Sequence, residues 1–534
     1  MKKSKKKKGG GGGGGGETKE TKVNLFPKNV KATSIDEIVE VLNRPYGKPK
    51  VEVLDLTEAK LGDDGVGRIA SHMQKNPKGL ETLILINNQL GPRSSDRMAS
   101  AVAGSRSLTT LDLSRNSLGD RGLAVLCESL LSNLTLTNLN VSSNSIGATD
   151  RGLWCIHLCN VLRTKKIQHL SIADNLIGCQ DMLALVEATH SPTCNLVTLD
   201  ISYNPINDEG IEGLCLAMEQ GFLKTLKILK MSSVGMGPIS VRQLGKACRC
   251  EKCVVEILWI DYNPNVGYLG MTSFIEQTFH KNKLCQLIEL QMGGGTMSGG
   301  GIGSESGGGS GGGGSGSGGG SGGGSGGSES ESGGGGGGGT NKFSYPETAA
   351  LPTPTIRPFV DAYQGKNGMT RKVVEKEDGA TKVDQSETKK EEEPEQDQEQ
   401  EKEEEEKKKK SPKELLWTSL SRAVSLNKTL KTLNISEELS MDDDACALFV
   451  TGLLQNVSIT TVVFNGNSLA DEGAALMSDV LVDQNILLHM SLRRNIFADD
   501  GGVSLAESLI DNETLLTLDV AHNQMDTEGT FSSI

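Results

Sequence analysis

No run of about 18 apolar residues occurs anywhere in the sequence, so no membrane-spanning helix is expected. The phosphate-binding pattern G-x-x-x-x-G-K-[ST] is missing despite 67 glycines, and so are H-E-x-x-H and G-x-S-x-G. The P-loop, zincin and hydrolase-elbow chemistries therefore have no carrier. The opening "MKKSKKKK" is basic but has no apolar segment behind it, so it is not a secretory signal, and Lys2 excludes N-myristoylation. Aromatic residues make up only 4% of the 534. The glycines sit mostly in two tracts that cannot build a core, so length overstates the domain count. The acidic balance is local: Glu391 to Glu406 alone carries a net charge of −10 out of −13. Eleven cysteines without a signal peptide point to reduced thiols in a cytoplasmic setting, with the cytoskeleton, cilium or nucleus also open.

What the sequence does contain is repetition. "LTTLDLSRNSLGDRG" at Leu108 aligns with "LTNLNVSSNSIGATD" at Leu136, "LVTLDISYNPINDEG" at Leu196 and "LLTLDVAHNQMDTEG" near the end. Asn88, Asn116 and Asn144 are 28 apart, as are Asn467, Asn495 and Asn523; between them the step stretches to 29–31. In "LTTLDLS" the period-two pattern turns Leu108, Leu111 and Leu113 inward and Thr109, Thr110, Asp112 and Ser114 outward. The Asn that follows can bond backbone groups where the strand bends. "DRGLAVLCESLLSN" then has helical apolar spacing. One strand and one helix cannot bury themselves, whereas stacked copies can.

The pattern L-x-x-L-x-L-x-x-N-x-L resembles the leucine-rich repeat, in a long cytosolic form similar to ribonuclease inhibitor. The resemblance covers about 365 residues, 51–292 and 412–534. It implies an α/β solenoid of about 13 repeats, with a parallel sheet on the concave side and helices on the convex side. Four copies depart at the Asn position, namely Ala59, Val234, Gly295 and Glu438, and there the Asn ladder should be broken. Residues 24–50, with Ser34 and Glu37 as a capping box, are expected to form a helical N-terminal cap behind a tail spanning 1–23.

One repeat is interrupted. Leu287, Leu290 and Met292 supply a strand, but Gly293 follows where a helix belongs. A helix without a strand begins at Ser411, with Pro412 at its first turn and Glu414 completing S-x-x-E. Joining the two makes 293–410 an insert within one repeat: Gly/Ser-rich, then acidic, and expected to be disordered. Closing a loop of that length costs about 3 kcal/mol more than a tight turn. Stacking two repeats returns on the order of 10 kcal/mol as an upper estimate. The rival arrangement tethers two separate solenoids and leaves apolar end faces exposed. "MDTEGTFSSI" stops about eight residues into a repeat helix, which fits either an exposed end face or a fragment of a longer protein.

Chemistry has few carriers. Cys248, Cys250 and Cys253 in "CRCEKC" lack an obvious fourth ligand, so no metal and no cofactor are expected. Binding falls to the outward strand positions: Asp112, His169, Asp200, Lys227, Lys230, Trp259 and Asp261. A Trp turned outward beside lysines has the character of an interface anchor, although it could instead pack on neighbouring strands. The expected role is a non-catalytic scaffold for a protein partner, without nucleic acid or small-molecule substrate, in a ciliary or cytosolic assembly by analogy of fold. The alternative is a GTPase activator resembling the Ran-activating family, which also joins such repeats to an acidic segment.

Overall fold

The structure is a computed structural model. It describes residues 23–25, 51–148, 152–164, 167–279, 285–293, 409–436 and 439–526. These all belong to one compact unit.

Fourteen short strands form one parallel sheet in strict chain order. They are β1 (Val23–Leu25), β2 (Val51–Asp55), β3 (Thr82–Ile84), β4 (Thr110–Asp112), β5 (Asn138–Asn140), β6 (His169–Ser171) and β7 (Thr198–Asp200). Then come β8 (Ile228–Lys230), β9 (Ile257–Trp259), β10 (Glu289–Gln291), β11 (Thr432–Asn434), β12 (Thr461–Val463), β13 (His489–Ser491) and β14 (Thr517–Asp519). After each strand from β2 to β9 runs a helix: α1 (Gly62–Lys75), α2 (Pro92–Gly104), α3 (Gly119–Leu130), α4 (Leu153–Thr164), α5 (Cys179–Thr189), α6 (Asn207–Gln220), α7 (Pro238–Arg249) and α8 (Gly267–Thr278). The later helices are α9 (Pro412–Leu426), α10 (Asp443–Gln455), α11 (Asp471–Asp483) and α12 (Asp499–Ser508). Thus β2 to β14 give thirteen repeats. Strands sit about 4.8 Å apart and packed helices about 8–10 Å apart, so the helix side is longer and the sheet takes the concave side.

In the three-residue strands β3 to β13 the middle residue is buried and its neighbours are half-buried. Leu111, Leu139, Leu170, Leu199, Leu229, Leu258, Leu290 and Leu433 form one such inward row. Facing them, helices contribute Leu123, Leu126, Leu158, Leu214, Leu244, Phe274, Trp417 and Phe449. The core is thus one continuous apolar seam. Among helices, α9 and α10 approach so closely at Gly452 that a Cβ there would collide with the carbonyl of Ser421.

The strand before the glycine tract and the repeat after it are neighbours. Glu289, Leu290 and Gln291 of β10 pair with Thr432, Leu433 and Asn434 of β11. Met292 N–H donates to the Asn434 carbonyl at 3.0 Å. Helix α9 starts on the capping box read in the sequence: Ser411 Oγ accepts from Glu414 N–H, and Glu414 returns a carboxylate to Ser411 N–H. It packs between α8 and α10, and Ser419 Oγ reaches Glu276 Oε1 on α8 at 3.5 Å.

Two side-chain ladders run along the turns. In the first, Asn116 Nδ2 donates to the carbonyls of Leu85, Leu113 and Ser114, while its Oδ1 accepts from Asn88 and Leu90 N–H. Asn144, Asn175, Asn204, Asn263 and Asn495 repeat this role. The residue before each ladder position is left-handed: Arg115, Ser143, Asp174, Tyr203, Ser233 and Tyr262 have φ between 52° and 57°. Val234 breaks the ladder as expected; its own N–H is still served by Asn263 Oδ1, at 2.9 Å. The second ladder, at the helix-to-strand turns, was not read from the sequence. Asn133, Asn427, Asn456 and Asn512 each accept two N–H groups ahead of the next strand.

Two expectations need correction or fall outside. Residues 23–25, placed at the edge of a tail and cap, form a strand paired in parallel with β2. Residues 26–50 of the expected cap and 294–408 of the insert lie outside the described residues, as do Gly295 and Glu438.

Candidate interface on the concave face

Strand register puts the outward residues in columns. Asp55, Ile84, Asp112, Asn140, Ser171, Asp200, Lys230, Trp259, Gln291 and Asn434 stand side by side at the strand ends. The recurrent Asp has a local reason. Asp112 Oδ1 accepts from Ser114 N–H at 2.9 Å and Ser114 Oγ at 2.7 Å, and its other oxygen accepts from Asn140 Nδ2 at 2.9 Å. Asp200 accepts from Ser202 N–H at 3.2 Å. Such turns let an Asp cap backbone two residues ahead, so these acids shape the bend as well as facing out. His169 plays a comparable part: Nδ1 meets Thr198 Oγ1 at 2.9 Å across the strands. The same His–Thr pair recurs at His489 and Thr517.

The column carries the apolar Ile84 at β3 and changes character again at β8 and β9. Lys230 Nζ lies 3.4 Å from the centroid of the Trp259 ring, and the indole N–H donates to Glu289 Oε1 at 2.8 Å. Trp259 is half-buried. It packs on the neighbouring strands through these contacts and keeps part of its surface exposed. Beside it, Lys227 Nζ bonds Glu256 Oε1 at 2.7 Å on the exposed flank.

Asp261 is a correction. Read as outward, it is only 5% exposed. The backbone has begun to turn at this column, and Ser114, Ser202 and Ser232 are buried with it. Ser232 Oγ donates to Asp261 Oδ1 at 2.5 Å. Burial pushes the Asp261 carboxyl above its usual range, against the Ser232 hydroxyl, Gln291 and Lys230, which pull it down. A raised folded-state pKa contributes stability that is complete below the unfolded value, about 3.9, and is lost as pH rises through the folded value. Asp261→Asn is therefore expected to melt later than wild type at neutral pH, with the gap narrowing toward pH 4. A parallel pair of melting curves against pH checks it; a constant gap refutes it.

The sequence reading missed two rings. Tyr203 and Tyr262 occupy the left-handed positions, 50% and 37% exposed, with centroids 6.4 Å apart. Their signal was the recurrence of Tyr-Asn-Pro at 203–205 and 262–264. Each follows the last residue of its strand, Asp200 or Trp259, by three positions. Among the described residues, no group of three or more His, Cys, Asp or Glu is arranged to hold a metal ion, and no helix is long and apolar enough to cross a membrane.

The family described as "Leucine Rich repeat" matches the chain at residues 47–70, 104–127, 194–215 and 511–530. No curated protein matches in sequence. Among solved structures, the chain is similar to TLR13 in a complex with ssRNA13: 12% identity over 86% of this chain and 52% of that one, TM-score 0.34. It is also similar to LegL7 from Legionella pneumophila, a leucine-rich repeat-containing protein (15% identity, 51% and 83% coverage, TM-score 0.32). A third likeness is to the Rad7 and Elc1 complex in yeast (13% identity, 93% and 89% coverage, TM-score 0.37). The chain spans about half the length of the TLR13 chain.

Proposed function

We propose that this leucine-rich repeat protein is a non-catalytic scaffold that holds a protein partner on its concave face, with the patch around Trp259 as the anchor. Repeats of this kind serve protein interaction in general, and the stacked strands provide one extended face for it. The observation that carries the finer reading is the fixing of Trp259 by Lys230 and Glu289 while its edge stays open. A ring pre-set in this way loses little freedom on binding, which is what favours aromatic anchors at interfaces. Lys227, Asp200, Asp112 and His169 form the polar surround; Asp261 supports it from beneath. On this reading residues 51–292 and 411–534 act as one array in the cytoplasm, and 293–410 is an arm carried on it.

Affinity capture from native extract identifies the partner, and binding is then measured with purified components. Trp259→Ala is expected to weaken that binding about 30-fold, corresponding to an anchor of about 2 kcal/mol. A captured set and affinity unchanged by the substitution would remove this face from consideration.

A further inference from the structure

A pair of thiols on the helix side is not used by the concave face. Cys155 and Cys159 lie four residues apart on α4, so they share one side of the helix, and their sulfurs are 3.9 Å apart. Both turn toward α5. Cys155 Sγ lies 3.7 Å from the carbonyl of Asp181, and Cys159 Sγ 3.4 Å from that of Ala184. They are 4% and 3% exposed, among the buried aliphatics Leu158, Leu162, Met182 and Leu185 of the same two helices.

The pair is poorly built for a disulfide. Side chains four apart on a helix hold their Cβ atoms about 5–6 Å apart, while a disulfide needs about 3.5–4.5 Å. Closing the bond would require α4 to unwind. A soft ion set between the sulfurs spans the longer gap with only a small rotation of each side chain.

Ligand number then selects the ion. Zinc in a closed protein site takes four ligands, and no third donor joins this pair among the described residues. Soft thiolates favour Cu(I), and a cuprous ion is satisfied by two of them.

We infer that Cys155 and Cys159 form a two-thiolate site for a cuprous ion, clasped between α4 and α5. Binding replaces two S–H bonds by two Cu–S bonds and releases two protons to solvent, with no change in oxidation state. The product carries one negative charge. Filling the site ties two turns of α4 together and makes the helix side of this repeat sensitive to cuprous ion, independently of what the sheet side binds.

The test titrates the full chain, anaerobically, with Cu(I) supplied as its bicinchoninate complex. Wild type is expected to withdraw one more equivalent than Cys155→Ser/Cys159→Ser, whose residual affinity falls at least 100-fold. Cys248→Ser/Cys253→Ser is expected to keep that equivalent. Circular dichroism checks folding. X-ray absorption on the wild type, which needs no variant, is expected to show two sulfur neighbours at the first equivalent. Three or more sulfurs in that spectrum, or equal uptake by the Cys155→Ser/Cys159→Ser protein, overturns the site.

Discussion

Trp417→Ala is expected to destabilise the second repeat block by about 3–5 kcal/mol, the usual cost of deleting a buried ring. Trp417 is fully buried on α9, the first helix after the glycine tract. Its ring meets Phe449 edge-on at 6.1 Å, and Phe449 meets Phe464 in the same way at 5.6 Å. Removing the indole leaves a hole at the head of this aromatic row, beside the α8 to α9 contact. Trp417→Phe should cost far less than that. The Trp417 indole N–H is buried and finds no hydrogen-bond partner among the described residues. An orphaned donor costs about 1–3 kcal/mol, so Phe offsets part of the lost volume by deleting it. Solenoids unfold in segments rather than at once, so hydrogen exchange on α9 and α10 is the better readout than a single midpoint. Equal protection losses for Ala and Phe would show that volume is not what matters at this site.

Asn116→Ala should have a comparable effect by a different route. It leaves the N–H groups of Asn88 and Leu90 without their acceptor inside the turn and takes the Nδ2 donor from three carbonyls. At about 1–3 kcal/mol for each buried group left unpaired, the expected loss is about 3 kcal/mol or more. Asn195, whose Nδ2 bonds Thr193 in an exposed turn, is the control. Asn195→Ala should stay within about 0.5 kcal/mol of wild type. Urea unfolding followed at the N-terminal repeats compares the two; similar losses would mean that the ladder contributes no more than a surface turn.

Much of the fold was legible because each repeat is short and stacks only on its neighbours. The period of 28 to 31 located the strands, and a strand without a helix at Leu287, Leu290 and Met292 with a helix without a strand from Ser411 favoured joining the two, against a rival of two separate solenoids. The second ladder was harder to see, because Asn133, Asn456 and Asn512 sit in turns whose polar residues look alike in any loop. Cys194 and Cys285 sit at nearly the same place in other repeats, and there burial pushes the thiols up, Cys285 to about 12. At the candidate site, alternation gave the columns but not their depth. It marked Asp261 as outward, since period two says nothing of where a backbone starts to turn and be covered. It passed over Tyr203 and Tyr262, since left-handed positions fall outside strand alternation altogether.

The pairing of β10 with β11 has a consequence for how the molecule is made. Ribosomes deliver about 5–20 residues per second, and about 140 residues separate Gln291 of β10 from Thr432 of β11. On the order of ten seconds therefore pass between emergence of the one and the other. Throughout that interval β10 is an open sheet edge with its backbone groups unmatched, the kind of edge that recruits foreign strands. Translation speed across the Gly/Ser and acidic codons thus sets how long a nascent chain remains vulnerable, a quantity that synonymous recoding can change without altering one residue of the protein.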